Sequence, residues 1–117
     1  MPAIVPEISS VTSRVVAGSP NNWHITISGS NFGTQAAYNG DSADLGIGDF
    51  TTAMVAGNTG DGVETDVTSW TNNQIVISAL TGAYGLNGWV INPGNLMMFF
   101  VGNAQDGISS LAYYMNA

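Results

Sequence analysis

The chain has no cysteine, no lysine and a single arginine among its 117 residues. Without thiols there is no disulfide, no thiolate nucleophile and no Cys-ligated zinc, and one histidine cannot complete the usual zinc or copper ligand sets. Eight acidic residues against Arg14 leave a net charge of −7. Such a chain repels phosphate backbones and anionic headgroups, so nucleic acid and membrane surfaces are excluded as natural partners. Only 8% of residues are charged, and solubility rests on Ser, Thr, Asn and Gly. That composition fits an extracellular, secreted module better than a charge-rich cytosolic domain.

Long apolar runs are missing as well. The longest, Leu96 to Val101, is far short of the roughly 20 residues that span a bilayer as a helix. Met1-Pro2-Ala3-Ile4 has neither a charged n-region nor an apolar h-region, so the chain reads as an expressed or mature segment whose signal was removed elsewhere, and it is expected to be part of a larger secreted protein. No helical period of useful length, no internal repeat and no Asn-x-Ser/Thr acceptor occurs. The length suits one domain, residues 1–117, able to bury a core without staples.

What is present is a series of short alternating runs separated by Gly, Pro and Asn. The most informative is Thr68 to Ser78, T-S-W-T-N-N-Q-I-V-I-S, where Thr71-Asn72-Asn73 breaks two runs into a hairpin. Asn tolerates left-handed backbone angles and caps its own turn, which predicts the break there. Trp23 to Ser28 alternates Trp23, Ile25 and Ile27 with His24, Thr26 and Ser28, the period of two of a half-buried strand with the Trp23 face inward. Glu7 to Val11 after Pro6 reads as an edge strand, with Arg14 to Ala17 as its continuation. Leu45 to Phe50 reads as a strand broken by Gly46 and Gly48, and Val63 to Trp70 as one with Val63, Thr65 and Val67 on one face. The runs 75–80 and 96–101 are apolar on both sides, the mark of central strands. Ile108 to Met115 closes the series. Gly18 to Asn22, Thr34 to Asp44 and Thr81 to Asn95 read as loops, and Phe32 between Gly29 and Gly33 as a corner folded back on the core. The fold expected is all-β, a sandwich of about seven to nine short strands.

Three stretches together, P-E-I-S-S-V at 6–11, I-T-I-S-G-S-N-F-G at 25–33 and V-T-S-W-T-N-N-Q-I-V-I-S at 67–78, resemble the IPT/TIG domain. That resemblance implies an immunoglobulin-like β-sandwich of the kind built into cell-surface and secreted proteins. The long Tyr38 to Thr59 and Tyr84 to Pro93 regions make the chain similar to the extended modules appended to bacterial secreted hydrolases. The implied role is accessory, and the residues it carries over are structural: Gly29, Phe32, Gly33, Trp70 and Ile75.

Candidate ligand-binding residues come from the loops. Tyr84 and Trp89 share a glycine-rich loop, and Tyr38 stands beside Asn39 and Asp41 in another. Exposed rings of this kind stack on sugar faces while amides and carboxylates bond the hydroxyls, so a polysaccharide or other glycan is the partner expected. The competing expectation is that these rings anchor loops on the sandwich, in a spacer or protein-interaction domain. An exposed coplanar pair of rings favours the first, and rings buried on the sheet favour the second. Asp41, Asp44 and Asp49 in one region and Asp61, Glu64 and Asp66 in another are oxygen donors of the type calcium takes. Asp41, Asp44 and Asp61 are the candidate ligands of a structural calcium, although no EF-hand spacing occurs. Nothing brings two carboxylates into a cleft, and His24 lies mid-strand without a nucleophile elbow. The chain is expected not to be an enzyme.

Overall fold

The computed structural model describes residues 5–16, 19–40, 42, 44–58, 63–82, 91, 94–105, 108, 110 and 112–117. These form nine strands in two antiparallel sheets. In the first sheet the order is β1 (Glu7–Val16), β2 (Ser19–Ser30), β7 (Gln74–Gly82), β6 (Val63–Trp70) and β3 (Tyr38–Gly40). In the second it is β5 (Met54–Ala56), β4 (Leu45–Asp49), β8 (Leu96–Val101) and β9 (Tyr113–Asn116). Setting the short β3 aside, the strands follow the A-B-E-D and C′-C-F-G arrangement of immunoglobulin-like sandwiches.

The core lies between the sheets and is supplied by alternation. Trp23, Ile25 and Ile27 of β2, Ile75 and Ile77 of β7, and Val67 of β6 face Leu45 and Ile47 of β4 and Met97, Phe99 and Val101 of β8, all buried. Strand β7 is the central strand of its sheet, as its two-sided apolar pattern predicts. A pair of register shifts opposite each other in β6 and β7, around Thr68 and Ser78, changes the alternation midway. In consequence Trp70 shares the inner face with Val67, and Leu80 rather than Ala79 points inward.

The hairpin of β6 and β7 is where the sequence puts it, but its turn works differently. Positive φ does not fall on Asn72 or Asn73; Asn31, in the corner after β2, has it at 62°. The turn is capped instead by Thr71, whose hydroxyl accepts from the Asn73 and Gln74 amides. That leaves the two asparagines free to hold the corner. Asn72 accepts from Gly33 N through Oδ1 (3.2 Å) and from Phe32 N through its carbonyl (3.0 Å). Asn73 bonds both the amide and the carbonyl of Gly29. Phe32 is driven into the core with no exposed surface.

Four other expectations need correction. Ser19 to Asn22 belong to β2 rather than to a loop, but residues 20–22 have no partner in β1, because the register jumps from Val15↔Trp23 to Val16↔Ser19. The loop composition there builds a wide bulge. The stretch Thr34 to Asp44 contains β3, which pairs Tyr38, Asn39 and Gly40 with Val67, Asp66 and Thr65. Strand β4 is continuous through Gly46 and Gly48, with Gly46 opposite Phe100 and Gly48 opposite Met98. The last strand is shorter and later than Ile108 to Met115, running Tyr113–Asn116.

Strand β1 is an edge, as expected, and it carries one irregularity that matters later. Ile8 pairs with Gly29 and Ser10 with Ser28, so Ser9 is an extra residue. Such a two-against-one bulge reverses the alternation beyond it. Ile8 packs against the core, and so does Val11, three positions on.

Two glycines, one in each sheet, separate crowding from mere flexibility. A Cβ at Gly29 would overlap the Glu7 carbonyl across the β1–β2 ladder, whereas one at Gly48 would meet nothing nearer than Met98 Cε at 3.4 Å. Gly29→Ala should therefore lose about 1–3 kcal/mol of stability by overpacking. Gly48→Ala should gain about 0.5 kcal/mol by restricting the unfolded chain. Urea midpoints at unchanged m-value measure both.

Candidate functional site

The inward residues of the smaller sheet leave an outward set that is unusually apolar. From the register, the row across the four strands reads Val55, Gly48, Met98 and Tyr114, flanked by Gly46 opposite Phe100 and by Leu96 opposite Asn116. At about 4.8 Å per strand that row spans about 14 Å. Phe50, just past β4, folds its ring back over Gly48 and meets Tyr114 with centroids 5.7 Å apart and planes tilted by 57°. The Phe100 ring covers the space where a Cβ on Gly46 would lie. Two glycines thus remove side chains from the middle of the sheet, and aromatic rings from neighbouring positions lean into the gap.

A hollow of about 200 Å³ remains between Val55, Ala56, Gly46, Met98, Phe100 and Asn58. Val55 (52% exposed) lines it; on the same face Tyr114 (55%), Phe50 (53%) and Leu96 (40%) face solvent beyond it. None of these outward residues bears an acid or a base. The outer face of the larger sheet is the opposite, with Arg14, His24, Glu64, Asp66, Thr68 and Ser78 along it. In a chain of net charge −7, this uncharged apolar face is the candidate site among the described residues.

The residues expected to bind ligand are placed as follows. Tyr38 lies on β3 half-buried, its ring 6.4 Å from that of Trp70 at 41° and its hydroxyl buried. It packs on the sheet rather than standing out as a platform. Asn39 beside it is exposed, opposite Asp66. Asp44 is half-buried in the turn entering β4, where its amide donates to Ser42 Oγ and its carbonyl accepts from Gly102 N. Asp41, Asp61, Tyr84 and Trp89 lie outside the described residues. Among the described residues, no three of His, Asp and Glu lie close enough to hold a metal ion.

Asp49, grouped by sequence with the acidic loop, is instead fully buried. Its Oδ1 accepts from the amides of Thr51 (3.0 Å) and Thr52 (3.2 Å), and its Oδ2 from Asn95 Nδ2 (2.8 Å). The carboxylate staples the β4–β5 turn to the segment entering β8, and Thr51 adds a bond from Leu96 N to its hydroxyl at 2.9 Å. A second groove, of about 380 Å³, lies between Val5 to Ile8 and Ala112 to Tyr113, with Glu7 as its one carboxylate. Neither hollow brings two carboxylates together.

Sequence reasoning missed Phe50, Val55, Met98, Phe100 and Tyr114 as a group. The available signal was the two-sided apolar run 96–101: read as a sign of a central strand, it equally marks an outer face that needs a cover. No known family model, curated protein or solved structure matches the chain.

Removing the staple tests whether Asp49 is structural. Asp49→Ala strips acceptors from three donors, one of them on a buried asparagine, and should cost about 3 kcal/mol. Thermal unfolding measures it, with a downward Tm shift of about 10 °C or more expected for a chain of this size.

Proposed function

We propose that the chain is a non-catalytic interaction module of a secreted or cell-surface protein, docking through the outer face of the β5-β4-β8-β9 sheet onto an uncharged, apolar protein surface. The observation that carries this reading is the exposed set Phe50, Val55, Leu96 and Tyr114 on one sheet face, with a glycine-floored hollow beside Val55. Interface cores are enriched in aromatic residues and Met and depleted in charge, which describes this face. Its rings suit a protein better than a sugar. Phe50 and Tyr114 meet at 57°, so they present an edge and a face rather than one flat platform, and the lining is otherwise Val, Met and Phe with few hydrogen-bonding groups. The IPT/TIG-like motifs and the low charge content agree with an accessory, extracellular role.

A glycan-binding role remains the second reading, carried by Tyr84 and Trp89 in a glycine-rich stretch of sequence, with Asn39 exposed on β3. A structural calcium at Asp41, Asp44 and Asp61 belongs to that reading. The two make different mutants matter.

The test is capture by the immobilised chain, from secreted proteins of the source organism and from a panel of soluble and insoluble polysaccharides. A protein held by the native chain should be retained at least tenfold less by Val55→Asp and Tyr114→Asp, and equally by Thr68→Asp on the outer face of the larger sheet. Equal capture by all three overturns the docking face. Polysaccharide binding that is lost in Trp89→Ala or Tyr84→Ala, or on adding a chelator, and that survives Val55→Asp, replaces this reading with the glycan one.

A further inference from the structure

We infer that β1 pairs with β1 of a second copy, in an antiparallel ladder centred on Val11 and closed at each end by an ion pair between Glu7 and Arg14. The surface is separate from the apolar face of the smaller sheet, so either can fail without the other. Strand β1 is the ten-residue edge of the larger sheet, and among the described residues its one neighbouring strand is β2. No proline or lysine lies within it to block a further strand.

The argument for a second copy as occupant is the register. In two identical antiparallel strands related by a two-fold axis, opposed residues must share a face. On a regular strand, residues seven apart point to opposite faces and cannot be opposed in this way. The bulge at Ser9 removes that obstacle, because it shifts the alternation by one residue between Ile8 and Val11. Ile8 and Val11 both turn to the core, and Glu7 and Arg14 are both exposed.

Centring the ladder on Val11 opposite Val11 then places Thr12 against the Ser9-Ser10 bulge of the other copy, Ser13 against Ile8 and Arg14 against Glu7. Every pair shares a face, and each two-residue bulge faces one residue. The charges fit the same register. Arg14 is the one lysine or arginine of the chain, so any such ion pair between copies has to use it, and the strand that carries it also carries an acid at the complementary position. Opposite charges directly across a ladder are favourable and fix register, while like charges there are unfavourable. With −7 on each copy, this is the place where attraction rather than repulsion operates. A strand edge buries less than the roughly 1,200 Å² of a stable interface, so the association is weak and concentration-dependent.

Sedimentation equilibrium over a wide concentration range tests it, with circular dichroism confirming that each variant is folded. The native chain should form a dimer. Glu7→Arg alone and Arg14→Glu alone should each weaken it at least fivefold, because two attractions become two repulsions. The double variant Glu7→Arg/Arg14→Glu should restore the native constant to within about twofold. Amide exchange along Glu7–Arg14 should slow as concentration rises, while that of Tyr38–Gly40, the other edge, stays constant. A monomer at all concentrations overturns the inference, as does a dimer whose constant is the same in all four chains or whose protected amides lie elsewhere.

Discussion

The sandwich depends on one carbonyl oxygen. Phe32 O accepts from Trp70 Nε1 at 3.0 Å and from Ala104 N at 2.9 Å, and those donors come from the end of β6 in one sheet and from the segment after β8 in the other. The same short corner is held by the Asn72-Asn73 turn on one side and by Asn103 and Gln105 on the other, with Asn103 Nδ2 bonded to Asn31 O and Gln105 bonded to both the amide and the carbonyl of Thr34. Each bond alone contributes about 1 kcal/mol. Together they fix where the two sheets meet at this end, with the Phe32 ring as the plug beneath. Trp23 performs the matching task on β2, donating Nε1 to Ile91 O at 3.1 Å. Two tryptophans thus bury their rings and spend their single donors on backbone carbonyls outside the strands.

That division of labour explains what could be read from the chain and what could not. Period-two alternation at Trp23 to Ser28 and the paired runs around Thr71 gave the strands and their inner faces, because burial on one side leaves a direct trace in residue order. The corner at Gly29 to Gly33 was legible for the same reason: an aromatic between glycines has few other uses. What failed was everything set by neighbours distant in sequence. The short β3 exists because Tyr38 finds Trp70 and the β6 edge, a partnership invisible in Thr34 to Asp44. Asp49 looked like one more loop acid, and only the approach of Asn95 and the Thr51-Thr52 amides makes it a buried staple. Asn72 and Asn73 have the composition of turn formers, but their side chains and carbonyls serve the opposite corner, where Asn31 is the asparagine with positive φ.

The two outer faces have been given different chemistry. Hydroxyls, acids and the lone arginine lie over the larger sheet, whose own edges are β1 and β3. The smaller sheet turns glycine, valine, methionine and aromatic side chains outward. In a one-layer contact with water such residues add nothing to folding, and their concentration on one face makes sense when something else is to cover it. Val55, Gly48, Met98 and Tyr114 come from four separate strands, so the patch exists only in the finished fold. An unfolded or partly folded chain does not display it.

The pairing of β4 with β8 has a further consequence, for the order of events during synthesis. Strands β1 and β2, and β6 and β7, are hairpins that close on themselves, whereas Leu45 must wait for Val101 and Met97 for Met115. The larger sheet can therefore assemble once Gly82 has been made, and the smaller sheet cannot close before Asn116. Until residue 101 emerges, β4 is a glycine-containing strand held only by its short partner β5, with Leu45 and Ile47 bare. Such non-local closure places folding in the milliseconds-to-seconds range of β-sandwiches.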